Sequence, residues 1–189
     1  ADIVVIATGS RWRRDGQVSS GAVPITGFDR ANVYFPEDVA DASGDVDGDR
    51  VVVYDTDGYF TSVGMVELLL GQGKTVTVVT PFANYAPHLL LTGEGFRVNR
   101  ELRRRGVEIV TGHAAVAVED AGLRAADVWS GVERVWAGDA VVLVTEREPC
   151  GQLYRSLTAD PGALESAGIA RVHRVGDCET PRLLADAIF

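Results

Sequence analysis

The chain has 189 residues, enough for one large domain or two small ones, and 46% of them are hydrophobic, with no apolar run of bilayer-spanning length. Its formal net charge of −9 argues against nucleic acid or an anionic membrane surface as a partner. Cys150 and Cys178 are far apart and form no C-x-x-C, so they mark neither a disulfide framework nor a metal site, which fits the reducing cytoplasm. His88, His113 and His173 show no metal-ligand spacing and are expected at the surface or in packing.

Residues 3–6 (IVVI) are a strand-length apolar run of buried type. A domain rarely opens inside its sheet, because an unpaired central strand leaves backbone groups unsatisfied. The chain is therefore expected to be a fragment of a longer protein. Ala7-Thr8-Gly9-Ser10 is a small-residue turn that permits close backbone approach. Arg11-Trp12-Arg13-Arg14 follows, a basic cluster expected to be solvated rather than to hold an anion or partner. Residues 15–49 are rich in Gly, Pro, Asp and Ser and read mostly as connection. Within them, Phe35-Pro36-Glu37-Asp38-Val39 has the acids of a helix first turn, and 41–49 is an acidic surface crossing.

Residues 50–81 are the organising stretch. Residues 50–54 are a β-branched strand, 62–72 carry apolar residues at helical spacing (Val63, Val66, Leu69, Leu70), and Gly73 stands where a C-terminal helix glycine belongs. Residues 75–80 are a second strand, stopped by Pro81. Such strands should be parallel and joined by a crossover, as in a nucleotide-binding sheet. The turn between them breaks the pattern. A dinucleotide site wants G-x-G-x-x-G after the first strand, with backbone N–H groups facing the pyrophosphate. Here the turn is Asp55-Thr56-Asp57-Gly58, with two carboxylates where an anion would sit. Unit charges about 4 Å apart repel by roughly 1 kcal/mol in water and about 4 kcal/mol at an effective dielectric of 20. The second strand ends in Thr80-Pro81, without the acid that grips a ribose hydroxyl. Either the unit has lost a nucleotide or it is an ordinary βαβ unit that never held one.

Residues 82–88 form a loop with two aromatics, read as a packed lid over the sheet edge. Residues 92–105 are expected to be helical, with Phe96, Asn99 and Leu102 on one side and arginines crowding the rest. Residues 107–110 are a further strand. Runs at 114–118, 122–129 and 132–136 predict an antiparallel meander, and 139–145 a fully buried strand. Residues 146–149 turn out of it. Short helices are expected at 152–158 and 161–166, and a last strand at 172–175. Gly176-Asp177 and Pro181 come next, and a helix from Arg182.

Three segments then align in order: Val5-Ile6-Ala7-Thr8-Gly9, Val142-Leu143-Val144-Thr145, and Gly176-Asp177 with Pro181. They resemble flavoproteins with two dinucleotide-binding domains. Ile6 to Trp12, the degenerate turn at 55–60, Ala83-Asn84-Tyr85, Asn99-Arg100 and Ala185-Asp186-Ala187 extend the likeness over essentially the whole chain. It resembles the C-terminal nucleotide-binding-like region of the trimethylamine, dimethylamine and histamine dehydrogenase family.

The resemblance implies an α/β fold: a Rossmann-like three-layer NAD(P)-binding-type domain with an antiparallel β-meander, plus flanking pieces of a FAD-binding-type domain. The expected boundaries are 1–46 for the end of the FAD/ADP-type domain and crossover, 47–148 for the NAD(P)-like domain, and 149–189 for the return. It implies a full-length oxidoreductase with FMN and a 4Fe-4S cluster in an N-terminal barrel, ADP (or FAD) in the flanking domain, and electron-transfer flavoprotein as acceptor. The chain's partners would be the rest of its own chain, including the barrel and the N-terminal half of the ADP/FAD domain, and a second subunit of a homodimer. Ala7, Thr8, Gly9, Gly176 and Asp177 would line the adenine nucleotide site, and Asp55, Thr56, Asp57 and Gly58 would be the degenerate phosphate turn. No catalytic residue and no metal ligand is assigned, and no cofactor is certain for this stretch alone. Two alternatives are kept: a working NAD(P)H module of an NADH:flavin reductase acting on enoates or dienoyl-CoA, with Gly58 and Gly64 in a shifted fingerprint, and a non-enzymatic interaction domain.

Overall fold

The structure is a computed structural model, and it describes residues 2–18, 23–41 and 45–182. The expected helix from Arg182 falls almost entirely outside the described residues. The chain divides into two compact units, 13–146 and a flanking unit of 1–12 with 147–189. The stretch 1–46, expected as the end of the flanking domain together with the crossover, is divided between the two units after Trp12. The reason is local: this connection carries a strand and a helix that pack on the central sheet.

In chain order the strands are β1 (Ile3–Ile6), β2 (Ser10–Trp12), β3 (Val33–Tyr34), β4 (Arg50–Asp55), β5 (Thr75–Val79) and β6 (Glu108–Val110). They continue with β7 (His113–Glu119), β8 (Gly122–Asp127), β9 (Glu133–Ala137), β10 (Ala140–Val144), β11 (Arg147–Pro149) and β12 (Arg171–Arg174). The helices are α1 (Pro36–Ala40), α2 (Phe60–Gly71), α3 (Gly95–Arg104), α4 (Gln152–Thr158) and α5 (Pro161–Ser166).

The central unit holds a five-stranded sheet in the order β3-β10-β4-β5-β6, with every pairing parallel. A parallel sheet must be covered on both faces, and its strands carry apolar residues at successive positions. Val51 to Tyr54 and Ala140 to Val144 are accordingly all buried. Alternation sends Val52, Tyr54, Val141 and Leu143 to one face, where they meet Val118, Leu123 and Ala125 of an antiparallel sheet ordered β7-β8-β9. The other face takes α2, whose Val63, Val66 and Leu69 are buried against β4 and β5. The Asp139 carboxylate ties β10 to β4, accepting the Asp49 and Arg50 backbone N–H groups and the Arg50 guanidinium at 2.6 Å. These partners hold it well below the usual carboxylate range.

α2 ends in a Schellman arrangement: Gly73 N–H donates to the Leu70 carbonyl and Lys74 N–H to that of Leu69. Gly73 has φ +81°, which a Cβ would disfavour. The helix expected over 92–105 starts later, at Gly95, after a 3-10 turn over Pro87–Leu90. Its face also differs from expectation. Val98 and Leu102 are buried, while Phe96 is 79% exposed. Phe96 and Asn99 are three positions apart, but the core lies on the 95/98/102 side of the helix.

In the flanking unit β1 pairs in parallel with β12, and β2 pairs antiparallel with β11. The sequence read β11 as a turn; its three residues are too few to show a pattern. β1 was expected to be buried, yet Ile3 and Val5 are 54% and 59% exposed. Ile3 and Val5 lie on the same face of the strand, and among the described residues that face is left exposed.

Candidate functional site

Two groups of candidate residues lie one in each unit. The first is the turn from β4 into α2. β4 delivers Asp55 at its last position, fully buried. The Asp55 carboxylate accepts the Gly58 N–H at 3.0 Å. Burial pushes this carboxyl up to about 7, the nearby Asp57 charge adds to the rise, and the Gly58 N–H opposes it. Its second oxygen has no hydrogen-bond partner among the described residues. A carboxyl that keeps its proton is the expected answer to such burial.

Gly58 takes φ +69°, which lets the chain reverse tightly into α2. It is also roofed. A methyl group placed on it would meet Phe82 at 3.1 Å, and Pro87 and His88 at 3.2 Å. His88 N–H donates to the Gly58 carbonyl at 3.1 Å. The 82–88 loop, expected as a packed lid over the sheet edge, therefore sits on the turn between β4 and α2. Two further members were not legible. The Tyr85 hydroxyl, fully buried, shares a 2.9 Å hydrogen bond with the buried Ser62 hydroxyl of α2. Burial raises the Tyr85 phenol above its ordinary value, and the Asp55 charge adds to this. Ala86, next to it, adopts φ 50°, a left-handed conformation unusual for a residue with a Cβ. Thr56 anchors the turn from below through its N–H to the Val144 carbonyl.

The second group brings Ala7, Thr8 and Gly9 together with Gly176 and Asp177. β1 and β12 run in register with Ile6 opposite Arg174, so both chains leave the sheet at the same edge. Val175 N–H then bonds the Ile6 carbonyl at 3.0 Å. Gly9 and Gly176 have φ +72° and +67°. Thr8 Oγ1 donates to the Cys150 carbonyl at 2.6 Å, and Cys150 N–H to that of Gly9 at 2.9 Å. The Asp177 carboxylate is not idle. It accepts from Ser10 Oγ at 2.9 Å and from the Arg147 guanidinium at 2.8 Å. Sequence reasoning missed Arg147 and Ser10, because each sits on a three-residue strand whose pairing only the fold supplies.

The basic cluster is neutralised within the chain. Arg11 pairs with Glu148, Arg13 with Asp15, and Arg14 with Asp38. Cys150 and Cys178 are free thiols, and Cys178 is buried. Among the described residues no group of His, Cys, Asp and Glu is arranged to hold a metal ion. No helix there is long and apolar enough to cross a membrane.

Residues 34–149 match the family model described as the OYE-like second alpha/beta domain. The chain belongs to this family. Within it, the chain carries the nucleotide-binding-like region shared by the trimethylamine, dimethylamine and histamine dehydrogenases. It is 32% identical to dimethylamine dehydrogenase of Hyphomicrobium sp. (strain x), an alignment that covers 100% of this chain and 28% of that protein. Histamine dehydrogenase from Rhizobium sp. 4-9 superposes with a TM-score of 0.89 at 31% identity, covering 98% of this chain and 29% of the other. The 6-hydroxypseudooxynicotine amine oxidase of Pseudomonas geniculata N1 superposes with a TM-score of 0.91 at 34% identity, covering 99% and 27%. The chain thus spans well under a third of the length of these relatives. All three are amine-oxidising enzymes by name.

Proposed function

We propose that this chain is the non-catalytic, nucleotide-binding-like module of a flavin-dependent amine dehydrogenase, and that its NAD(P)-like unit does not take NAD(P)H. The observation that carries this reading is the occupied turn. The Gly58 N–H, which a pyrophosphate would need, is already bonded to Asp55. The space above Gly58 is filled by Phe82, Pro87 and His88. A dinucleotide would have to displace a buried carboxyl and a packed loop together. The reading fits an enzyme whose flavin is reduced by an amine and whose electrons leave to electron-transfer flavoprotein.

The flanking unit supports an adenine nucleotide site of the ADP (or FAD) type. Thr8 and Gly9 present small residues and backbone at the edge that Gly176 shares, which fits close approach of a nucleotide. Asp177, held in place by Ser10 and Arg147, would accept a hydroxyl of the ligand, and Arg147 would add positive charge nearby. A four-iron cluster does not fit this chain: it needs four thiolates, and the chain has two cysteines. FMN and the 4Fe-4S cluster would therefore be held by other parts of a longer cytoplasmic homodimeric enzyme. The exposed apolar face of β1 fits cover by the remainder of that chain.

Calorimetric titration of the chain with NADH, NADPH and ADP tests the proposal. Silence from both reduced nicotinamides is expected. Saturable NADH binding at micromolar concentration would overturn it and move the chain to the NADH-dependent flavin reductases.

A further inference from the structure

Two arginines of the flanking unit aim at one spot that no assignment above uses. A methyl group placed on Gly151 would meet the Arg155 guanidinium at 3.1 Å and would lie 3.9 Å from that of Arg174. Gly151 is buried and offers only hydrogen there. Arg155 comes from the middle of the short helix α4, where its N–H bonds the Gly151 carbonyl at 3.1 Å. Arg174 comes from β12 and is held over the Tyr154 ring at 4.5 Å. Among the described residues neither guanidinium has a carboxylate partner.

Beside them opens a cleft of about 280 Å³ lined by Thr8, Arg11, Glu148, Cys150, Gln152 and Arg155, among others. Arg11 is neutralised by Glu148 at 2.5 Å. Arg155, which lines the cleft, and Arg174, whose guanidinium reaches the same position beside Gly151, have no such carboxylate. Two like charges held together without a counter-ion create a potential that an anion relieves. Planar guanidinium forks match the oxygens of a phosphoryl group better than a point charge does.

We infer that Arg155 and Arg174 form a site for a phosphoryl group, either a free phosphate or the terminal phosphate of an adenine nucleotide. The second source rests on the nucleotide reading proposed above, since Thr8 belongs to both; the first does not.

The test is a calorimetric titration of the full chain with inorganic phosphate, ADP and adenosine, at constant ionic strength in sodium chloride. Saturable phosphate binding is expected, weakened tenfold or more by Arg155→Gln and by Arg174→Gln. Gly151→Ala should weaken it too, because the methyl group intrudes at 3.1 Å. Arg155 is exposed, so its variant should melt like the parent; circular dichroism checks this for all three. No binding at millimolar phosphate, or equal binding by the parent and both arginine variants, overturns the inference. If the arginine variants weaken ADP but not adenosine, the nucleotide supplies the phosphate. If they weaken phosphate and leave ADP untouched, the site takes a free anion. Phosphate binding with no ADP binding keeps the anion site, assigns it to a free anion in this chain, and leaves the nucleotide to need the other half of its domain. ADP binding without any dependence on the arginines does the reverse.

Discussion

Replacing Asp55 with Asn should change how the stability of this chain depends on pH. The carboxyl is fully buried, with one oxygen bonded to the Gly58 N–H and the other unpartnered. In the unfolded chain it titrates near 3.8; in the fold it is pushed up to about 7 by burial. The folded state therefore binds more protons than the unfolded state between these values, so stability falls as pH rises through this window. At about 1.4 kcal/mol per pH unit, ionising Asp55 costs the fold about 4 kcal/mol by pH 8. That would be a large share of the 5–15 kcal/mol typical of a domain. Asn keeps the acceptor for Gly58 N–H and carries no charge. Urea unfolding followed by circular dichroism at pH 4.5, 6, 7 and 8 reads the difference. Asp55→Asn should match the parent within about 1 kcal/mol at the acid end, which is the scale of a single neutral hydrogen bond. It should be more stable by several kcal/mol at the alkaline end. A stability difference that stays constant across this range would show that the carboxyl does not titrate in the window, and would refute the placement of Asp55 in an apolar recess.

Tyr85→Phe removes one partner of a buried pair and strands the Ser62 hydroxyl, so it should destabilise by about 1–3 kcal/mol. Tyr85→Phe with Ser62→Ala should recover part of that loss; a double-mutant cycle with zero coupling would place the two hydroxyls apart. Gly58→Ala forces a Cβ into φ +69° and against Phe82, Pro87 and His88, and should cost about 1–2 kcal/mol for the backbone alone, read as a lowered urea midpoint. Ala86→Gly relieves the opposite situation, a Cβ residue at φ 50°, and should change stability by less than about 1 kcal/mol in either direction, since the relief is set against a lost buried methyl group.

The βαβ stretch was legible because its signals are local. β4, α2 and β5 follow from β-branched runs, a 3.6-residue spacing and a terminal glycine, and each needs only its own neighbours in sequence. α4 and α5 were placed to the residue for the same reason, with Pro161 opening α5 and the Asp160 side chain capping it. The turn at 55–58 was also visible as a place where the phosphate pattern fails. What could not be read was which acid goes inside. Asp55 and Asp57 are chemically alike, and only the direction in which β4 ends buries the first and leaves the second partly exposed.

By itself, then, the amino-acid sequence determined the α/β class, the central strands, the family likeness and the absence of a glycine-rich phosphate turn, since periodicity, punctuation and residue type carry these over short distances. Tertiary structure decided the rest. It made a two-residue strand of Val33–Tyr34 by offering β10 as a neighbour, and paired β2 with β11 over three residues each. It turned Phe96 outward and Val98 inward, and left Ile3 and Val5 exposed. It also brought Phe82, Pro87 and His88 down onto Gly58, and Arg147 onto Asp177 across thirty residues of chain. Each of these contacts joins segments remote in sequence, and no local pattern encodes a partner that arrives only when the chain closes on itself.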